Sequence, residues 1–129
     1  MNKLILAGLT ALCLAAGPAL SDPVEGVWKT EVDDGAYAHV RIAPCARAFC
    51  GTIIRTFQLG GEYQSPNIGR RLIWDMIAEG GGVYKGGKIR RPSNGRTYKS
   101  KMELQGRNAL KVSGCRGPIC LGQDWSRVK

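Results

Sequence analysis

Histidine occurs once in the 129 residues, phenylalanine twice, and all aromatics together make up only 7%. A lone imidazole, His39, excludes a His-rich metal site. The sparse aromatics mean that any core is mostly aliphatic. Acidic residues are also scarce, with ten Asp and Glu against nineteen Lys and Arg, for a formal net charge of +9. The length excludes a large α/β enzyme and a polytopic membrane protein, and bounds one small domain. Repeats of solenoid period and linker-like tracts are missing. What is present is a globular balance, 43% apolar and 22% charged,.

The first residues read as a leader. Met1-Asn2-Lys3 is a short positive start, Leu4 to Ala16 carries no charge, and Gly17, Pro18, Ala19, Leu20 and Ser21 follow. This is the plan of a secretory signal peptide. The apolar run falls short of the roughly 20 residues that span a bilayer. Cleavage after Ser21 is expected, with cleavage after Ala19 the near alternative. A retained membrane anchor, or a lipid on Cys13, is the competing reading, but Leu12 is bulky for the position before a lipidated cysteine. Removing 1–21 leaves 22–129 as one domain with a charge of +8, because the leader contributes only Lys3. A periplasmic or secreted protein with no membrane span after cleavage is expected.

Five cysteines become four when Cys13 departs, in two like-spaced pairs, Cys45-x4-Cys50 and Cys115-x4-Cys120. An even count in a small exported domain favours disulfides. A four-thiolate zinc site is the rival, but zinc ribbons use tighter spacing and reducing compartments. Four cysteines allow three connectivities.

No helix-period stretch of convincing length follows the leader. Short β-rich runs recur instead between Gly, Pro, Asn and Asp. They are Val27–Val32, Tyr37–Ala43, Gly51–Phe57, Val83–Arg90, Thr97–Leu104, a run around Leu110 and Val112, and Gln123–Val128. Leu72–Ile77 fits either a strand or a short helix over 72–78, and strand is preferred. Gln58 to Arg71 reads as a loose stretch. Gly86-Gly87 predicts a bulge, and Pro92-Ser93-Asn94-Gly95 a hairpin turn. Tyr98, Ser100, Met102 and Leu104 share one face of their run.

About eight short strands with tight connections predict an all-β fold, a single antiparallel up-and-down barrel. Eight strands enclose room for side chains or one small ligand. Closure places the first strand beside the last, which would stack Arg127 on Trp28. The same strand parity puts the two cysteine-bearing turns at opposite ends. Cross-pairing would then exceed the Cα separation of roughly 7 Å that a disulfide tolerates. Cys45–Cys50 and Cys115–Cys120 are therefore the expected pairs.

Several pieces of the chain are similar to a known family. They are Gly26-x-Trp28, Phe49-Cys50-Gly51-Thr52-Ile53, Asn67, Gly86-Gly87-Lys88-Ile89, Pro92-x-x-Gly95-x-x-Tyr98, Leu110-Lys111-Val112-x-Gly114-Cys115 and Trp125-Ser126-Arg127. In this order the sequence resembles the bacterial exported family called domain of unknown function 2147. Gly26-Val27-Trp28 also resembles the Gly-x-Trp signature of lipocalin-like barrels. The resemblance implies a small secreted or periplasmic lipocalin-like barrel and supplies no catalytic residue. Between Tyr63 and Asp75 the chain departs from the family, which usually carries an acidic, Asn-rich loop followed by a Gly-Leu pair.

The chemical motifs are weak. Gly82-Val83-Tyr84-Lys85-Gly86-Gly87-Lys88 approaches a phosphate-binding loop, but Ile89 stands where Ser or Thr must hold Mg²⁺. There is no Gly-x-Ser-x-Gly elbow. His39 sits on the alternation face of Tyr37 and Arg41 and reads as a partly exposed strand residue. Asp75 and Glu79 could act as acid and base only if the fold brought them together. No catalysis, metal or cofactor is expected.

Two binding modes remain. The first holds a small amphipathic molecule in the barrel, against Trp28, Val40, Tyr98, Ser100 and Met102, with Leu110 and Val112 on the neighbouring strand. The second docks an anionic envelope component (lipopolysaccharide, anionic lipid or wall polymer) on Lys85, Lys88, Arg90, Arg91, Arg96, Lys99 and Lys101, a run without an acidic residue. Export argues against nucleic acid. An inhibitor presenting Arg116-Gly117-Pro118-Ile119 to a secreted enzyme is a further possibility.

Overall fold

The computed structural model describes residues 21–129. Residues 1–20 of the leader, with Cys13 and the cleavage site after Ala19, lie outside the described residues.

Nine strands follow in chain order: β1 Gly26–Lys29, β2 Ala36–Cys45, β3 Ala48–Gln58, β4 Gly61–Tyr63, β5 Arg71–Gly80, β6 Val83–Arg90, β7 Thr97–Leu104, β8 Ala109–Arg116 and β9 Ile119–Arg127. No helix occurs among the described residues. The sheet runs β2-β1-β9-β8-β7-β6-β5-β3-β4, and a further β2–β3 ladder joins its ends. The result is a closed antiparallel barrel of eight strands, with β4 as a short return on the outer part of β3. Closure pairs the two strands, β2 and β3, that would otherwise end an open sheet,.

Segment 71–80 is a strand, although Leu72, Ile73 and Met76 are all buried. Their spacing imitates a helix because Asp75 adopts φ 57° and the β3–β5 register shifts there. The backbone break re-aims Met76 inward. The loose stretch ordered itself further than its composition suggested. Gly61–Tyr63 pairs with Thr56–Gln58, and the Thr56 hydroxyl donates to the Tyr63 carbonyl at 2.6 Å.

Strand parity gives the barrel two unlike ends. The segment Asp22–Glu25, the C-terminus and the β2–β3, β5–β6 and β7–β8 turns lie at one end, which is packed solid. Val24, Trp28, Ile42, Met76, Tyr84, Met102 and Leu110 fill it. Trp28 Nε1 donates to the Val24 carbonyl at 2.9 Å, and Tyr84 donates its hydroxyl to Asp22. Trp28 pairs with Arg127 across β1 and β9, and the guanidinium lies 4.3 Å from the indole ring. Arg127 also donates to the carbonyls of Glu25 at 3.0 Å, Arg107 at 2.8 Å and Pro23. Gly26 stands beneath this plug because a Cβ there would come within 2.6 Å of both Arg127 Nη1 and the Lys129 carbonyl oxygen. At φ 140° its backbone is also one that L side chains rarely adopt,.

Disulfides join Cys45 to Cys50 and Cys115 to Cys120. The first staples the β2–β3 turn at the closed end. The second staples the β8–β9 turn at the other.

Candidate functional site

The β1–β2, β3–β4, β6–β7 and β8–β9 connections surround the opposite end, and a cavity of about 580 Å³ opens there. Its depth is apolar. Ala38, Ile53, Leu72, Ile89, Val112 and Trp125 form the inner wall. They come from six strands because inward positions alternate along each one. Polar groups enter nearer the mouth: Thr30, Thr56, Tyr63, Ser65, Asn67, Tyr98 and Gln123. Many already have partners. Trp125 Nε1 donates to Gln123 Oε1 at 2.9 Å, and the Asn94 side-chain amide donates to the Tyr98 hydroxyl at 3.1 Å.

The β8–β9 hairpin rises above its neighbours. Ile119 and Leu121 lie opposite Arg116 and Gly114, on the inward alternation of Gln123 and Trp125. Both line the cavity, yet they are 67% and 79% exposed. Two large aliphatic side chains left exposed beside an open apolar cavity are more informative than the buried residues below them,.

A clasp crosses the mouth. Asp33, in the β1–β2 connection, accepts from Arg91 Nε at 2.9 Å and Nη2 at 2.8 Å, and from the Ser93 hydroxyl at 3.3 Å. These connections belong to opposite sides of the eight-strand ring. The hydrogen bonds from Arg91 hold the Asp33 carboxyl below its ordinary range, against partial burial. Beside it, Glu31 accepts the Asp124 backbone N–H.

The residues expected to line the lumen are divided by this geometry. Tyr98 and Val112 border the cavity. Trp28, Val40, Met102 and Leu110 are buried in the packed core and do not border it. The Ser100 hydroxyl is spent on the Ser113 carbonyl at 2.7 Å. Alternation along a strand identifies the inward face. It does not say how far up the barrel the packing reaches.

The basic run is likewise split. Lys85, Lys88, Lys99 and Lys101 are exposed on the walls of β6 and β7, and Lys88 faces Lys99 across the ladder. Arg90 and Arg91 border the mouth, with Arg91 paired to Asp33. Arg96 lies in the β6–β7 turn, lining a second, shallower recess outside the main cavity.

Other candidate chemistry is dispersed. His39 packs against Phe57, ring centroids 4.7 Å apart, and burial followed by the Arg55 and Lys29 charges lowers its pKa. Asp75 and Glu79 are exposed on β5 and do not border the cavity. The phosphate-loop-like segment is the β5–β6 turn and β6 itself, with a register shift between Tyr84 and Gly87 and no helix after it. Among the described residues no group of three His, Cys, Asp or Glu is placed to hold a metal ion.

The profile of the family described as an uncharacterized protein conserved in bacteria, DUF2147, matches residues 26–127. The chain belongs to this family. The match starts at Gly26 and ends at Arg127, the two residues that meet at the closed end. A solved structure, protein HP1028 from Helicobacter pylori, is described as belonging to the lipocalin family. It superposes with a TM-score of 0.66 at 18% identity, over 85% of each chain. That likeness establishes the lipocalin-like fold of this DUF2147 member. No curated protein matches the sequence.

Proposed function

We propose that this DUF2147 protein is an exported binding protein of the bacterial envelope that holds one small amphipathic molecule in its barrel. The cavity carries the reading. An apolar interior of about 580 Å³, open at one end and ringed there by polar groups, suits a ligand with an apolar body and a polar head,. Ile119 and Leu121 supply the apolar surface that such a ligand would cover. Export is supported by the leader-like start and by two disulfides, which persist in oxidising compartments,. Binding rather than catalysis is favoured because the single imidazole lies against Phe57, outside the cavity, and the four described cysteines are oxidised.

The test is to purify the protein from its own envelope fraction and identify extracted molecules by mass spectrometry. Val112→Trp, which places a bulky indole in the apolar depth of the cavity, is the control, with circular dichroism to verify its fold. One class of amphiphile, present with the native protein and absent from the variant, is expected. Equal recovery from both would overturn the reading.

A second reading rests on a different surface. Like charges directly opposite in a ladder are unfavourable, yet Lys88 faces Lys99, with Lys101 exposed on the next outward position of β7. That wall suits an extended envelope polyanion. Such binding would weaken steeply with salt and survive Val112→Trp.

A further inference from the structure

Near the mouth the barrel wall opens between two hairpins. The β6–β7 ladder runs out to Arg90 opposite Thr97, and the β8–β9 ladder to Arg116 opposite Ile119. Between them, the β7–β8 ladder stops at Lys99 opposite Cys115. Thr97 and Tyr98 on one side, and Arg116 and Gly117 on the other, therefore continue without a rung. The two hairpins part at the rim and leave a notch.

A recess of about 410 Å³ occupies that notch, lined by Arg96, Thr97, Tyr98, Lys99, Cys115, Arg116 and Gly117. Three of these are cationic and none is acidic. Neither Arg96, Lys99 nor Arg116 forms an ion pair with a described carboxylate, whereas Arg55 and Arg91 both do. The notch is not isolated from the cavity, because Tyr98 and Arg116 line both. An apolar chamber and a cationic recess thus share a wall, at the point where the strands separate.

We propose that the notch between β7 and β8 seats an anionic headgroup, phosphate or carboxylate, of an amphiphile whose chain lies in the barrel. The inference rests on the binding function above and adds the charge of the ligand and the side of the mouth where its head sits. Arg96 and Arg116 offer planar forks matched to a two-oxygen anion, and Lys99 adds a compact charge from the outer wall. The notch lets the head remain in water beside the cations while the chain is enclosed. The Cys115–Cys120 disulfide fixes the hairpin that carries Arg116.

The experiment is calorimetric titration of the mature protein with decyl phosphate, decanol, decyltrimethylammonium and inorganic phosphate. Decyl phosphate is expected to bind about tenfold or more tightly than decanol. The ammonium should be weakest, and inorganic phosphate alone should give no measurable saturation. The combined variant Arg96→Ala/Lys99→Ala/Arg116→Ala should lose the preference for decyl phosphate and keep its decanol affinity. Lys85→Ala/Lys88→Ala/Lys101→Ala removes the same charge outside the notch and should keep the preference. All six side chains are exposed, and circular dichroism verifies the fold of each variant.

Equal affinity for decanol and decyl phosphate in the native protein would overturn the headgroup site and leave the amphiphile reading standing. Equal loss of preference in the two variants would overturn it in favour of the overall charge. Tight binding of inorganic phosphate would make the notch a free-anion site. Failure of every decyl compound would instead remove the amphiphile reading itself.

Discussion

Arg127 shows how much one side chain can do in a small barrel. Its guanidinium covers the Trp28 ring and donates to three backbone carbonyls, tying β1, the segment before it and the β7–β8 turn to β9. Cation–π stacking contributes about 0.5–2 kcal/mol, and hydrogen bonds from a charged donor about 1.5–3 kcal/mol. Arg127→Ala is therefore expected to cost about 2 kcal/mol or more, read as a lower urea midpoint. Arg127→Lys should recover only part of this, because an ammonium cannot reproduce the planar fork. Full recovery by lysine would reduce the contact to charge alone.

Asp33 acts at the same scale and at the opposite end. Its pKa is depressed from the ordinary 3.8, chiefly by the hydrogen bonds from Arg91. A depressed carboxyl contributes stability that is complete above the unfolded value and disappears as pH falls through the folded one. The stability advantage of the native protein over Asp33→Asn should thus be constant above about pH 5 and shrink below the ordinary carboxyl range. Paired urea titrations across pH measure it. An advantage that grew toward acid would exclude Arg91 as the cause.

Among the elements, β6 carries adjacent glycines required for different reasons. Gly86 has φ 77° and open space around its missing Cβ, whose nearest neighbour would be Ile77 Cδ1 at 3.9 Å. A Cβ on Gly87 would meet the Trp74 carbonyl oxygen at 2.8 Å and Met76 Sδ at 2.5 Å. Gly86→Ala should cost about 1–2 kcal/mol of backbone strain. Gly87→Ala must displace a neighbouring strand and should cost more, about 2–3 kcal/mol. Thermal unfolding of the two variants provides the ranking, and equal costs would mean that β5 yields freely. The bulge itself was legible in the sequence, since Gly-Gly inside a β-rich run has few other uses. β4 was not, because Gly61–Tyr63 lacks the alternation that marks a strand and is held by pairing to β3 alone. In β5, the positive φ of Asp75 breaks the period of two, so Leu72, Ile73 and Met76 imitate a helical face.

For the molecule as a whole, the two ends divide a packed core from an open cavity. The sequence reveals the ring, since period and turn spacing are local properties. It does not reveal where the packed core stops, because that depends on how side chains from eight strands meet. Trp28, Val40 and Met102 were reasonable lumen residues by parity, yet they belong to the buried core. Ile119 and Leu121 carried no signal of their own in the sequence. Their importance comes from facing inward where the wall outgrows its filling. This division yields a paired expectation. Met102→Ala, in the buried core, should cost about 3 kcal/mol in urea denaturation, and should leave the affinity for decanol unchanged where the protein remains folded. Ile119→Ser/Leu121→Ser replaces apolar groups that folding leaves in water, so stability should change by no more than about 0.5 kcal/mol. The same pair should weaken decanol binding about tenfold, because the ligand loses the apolar surface it would cover. If the serine pair instead destabilised the fold and left binding intact, the upper hairpin would be part of the core, and the ligand would sit elsewhere.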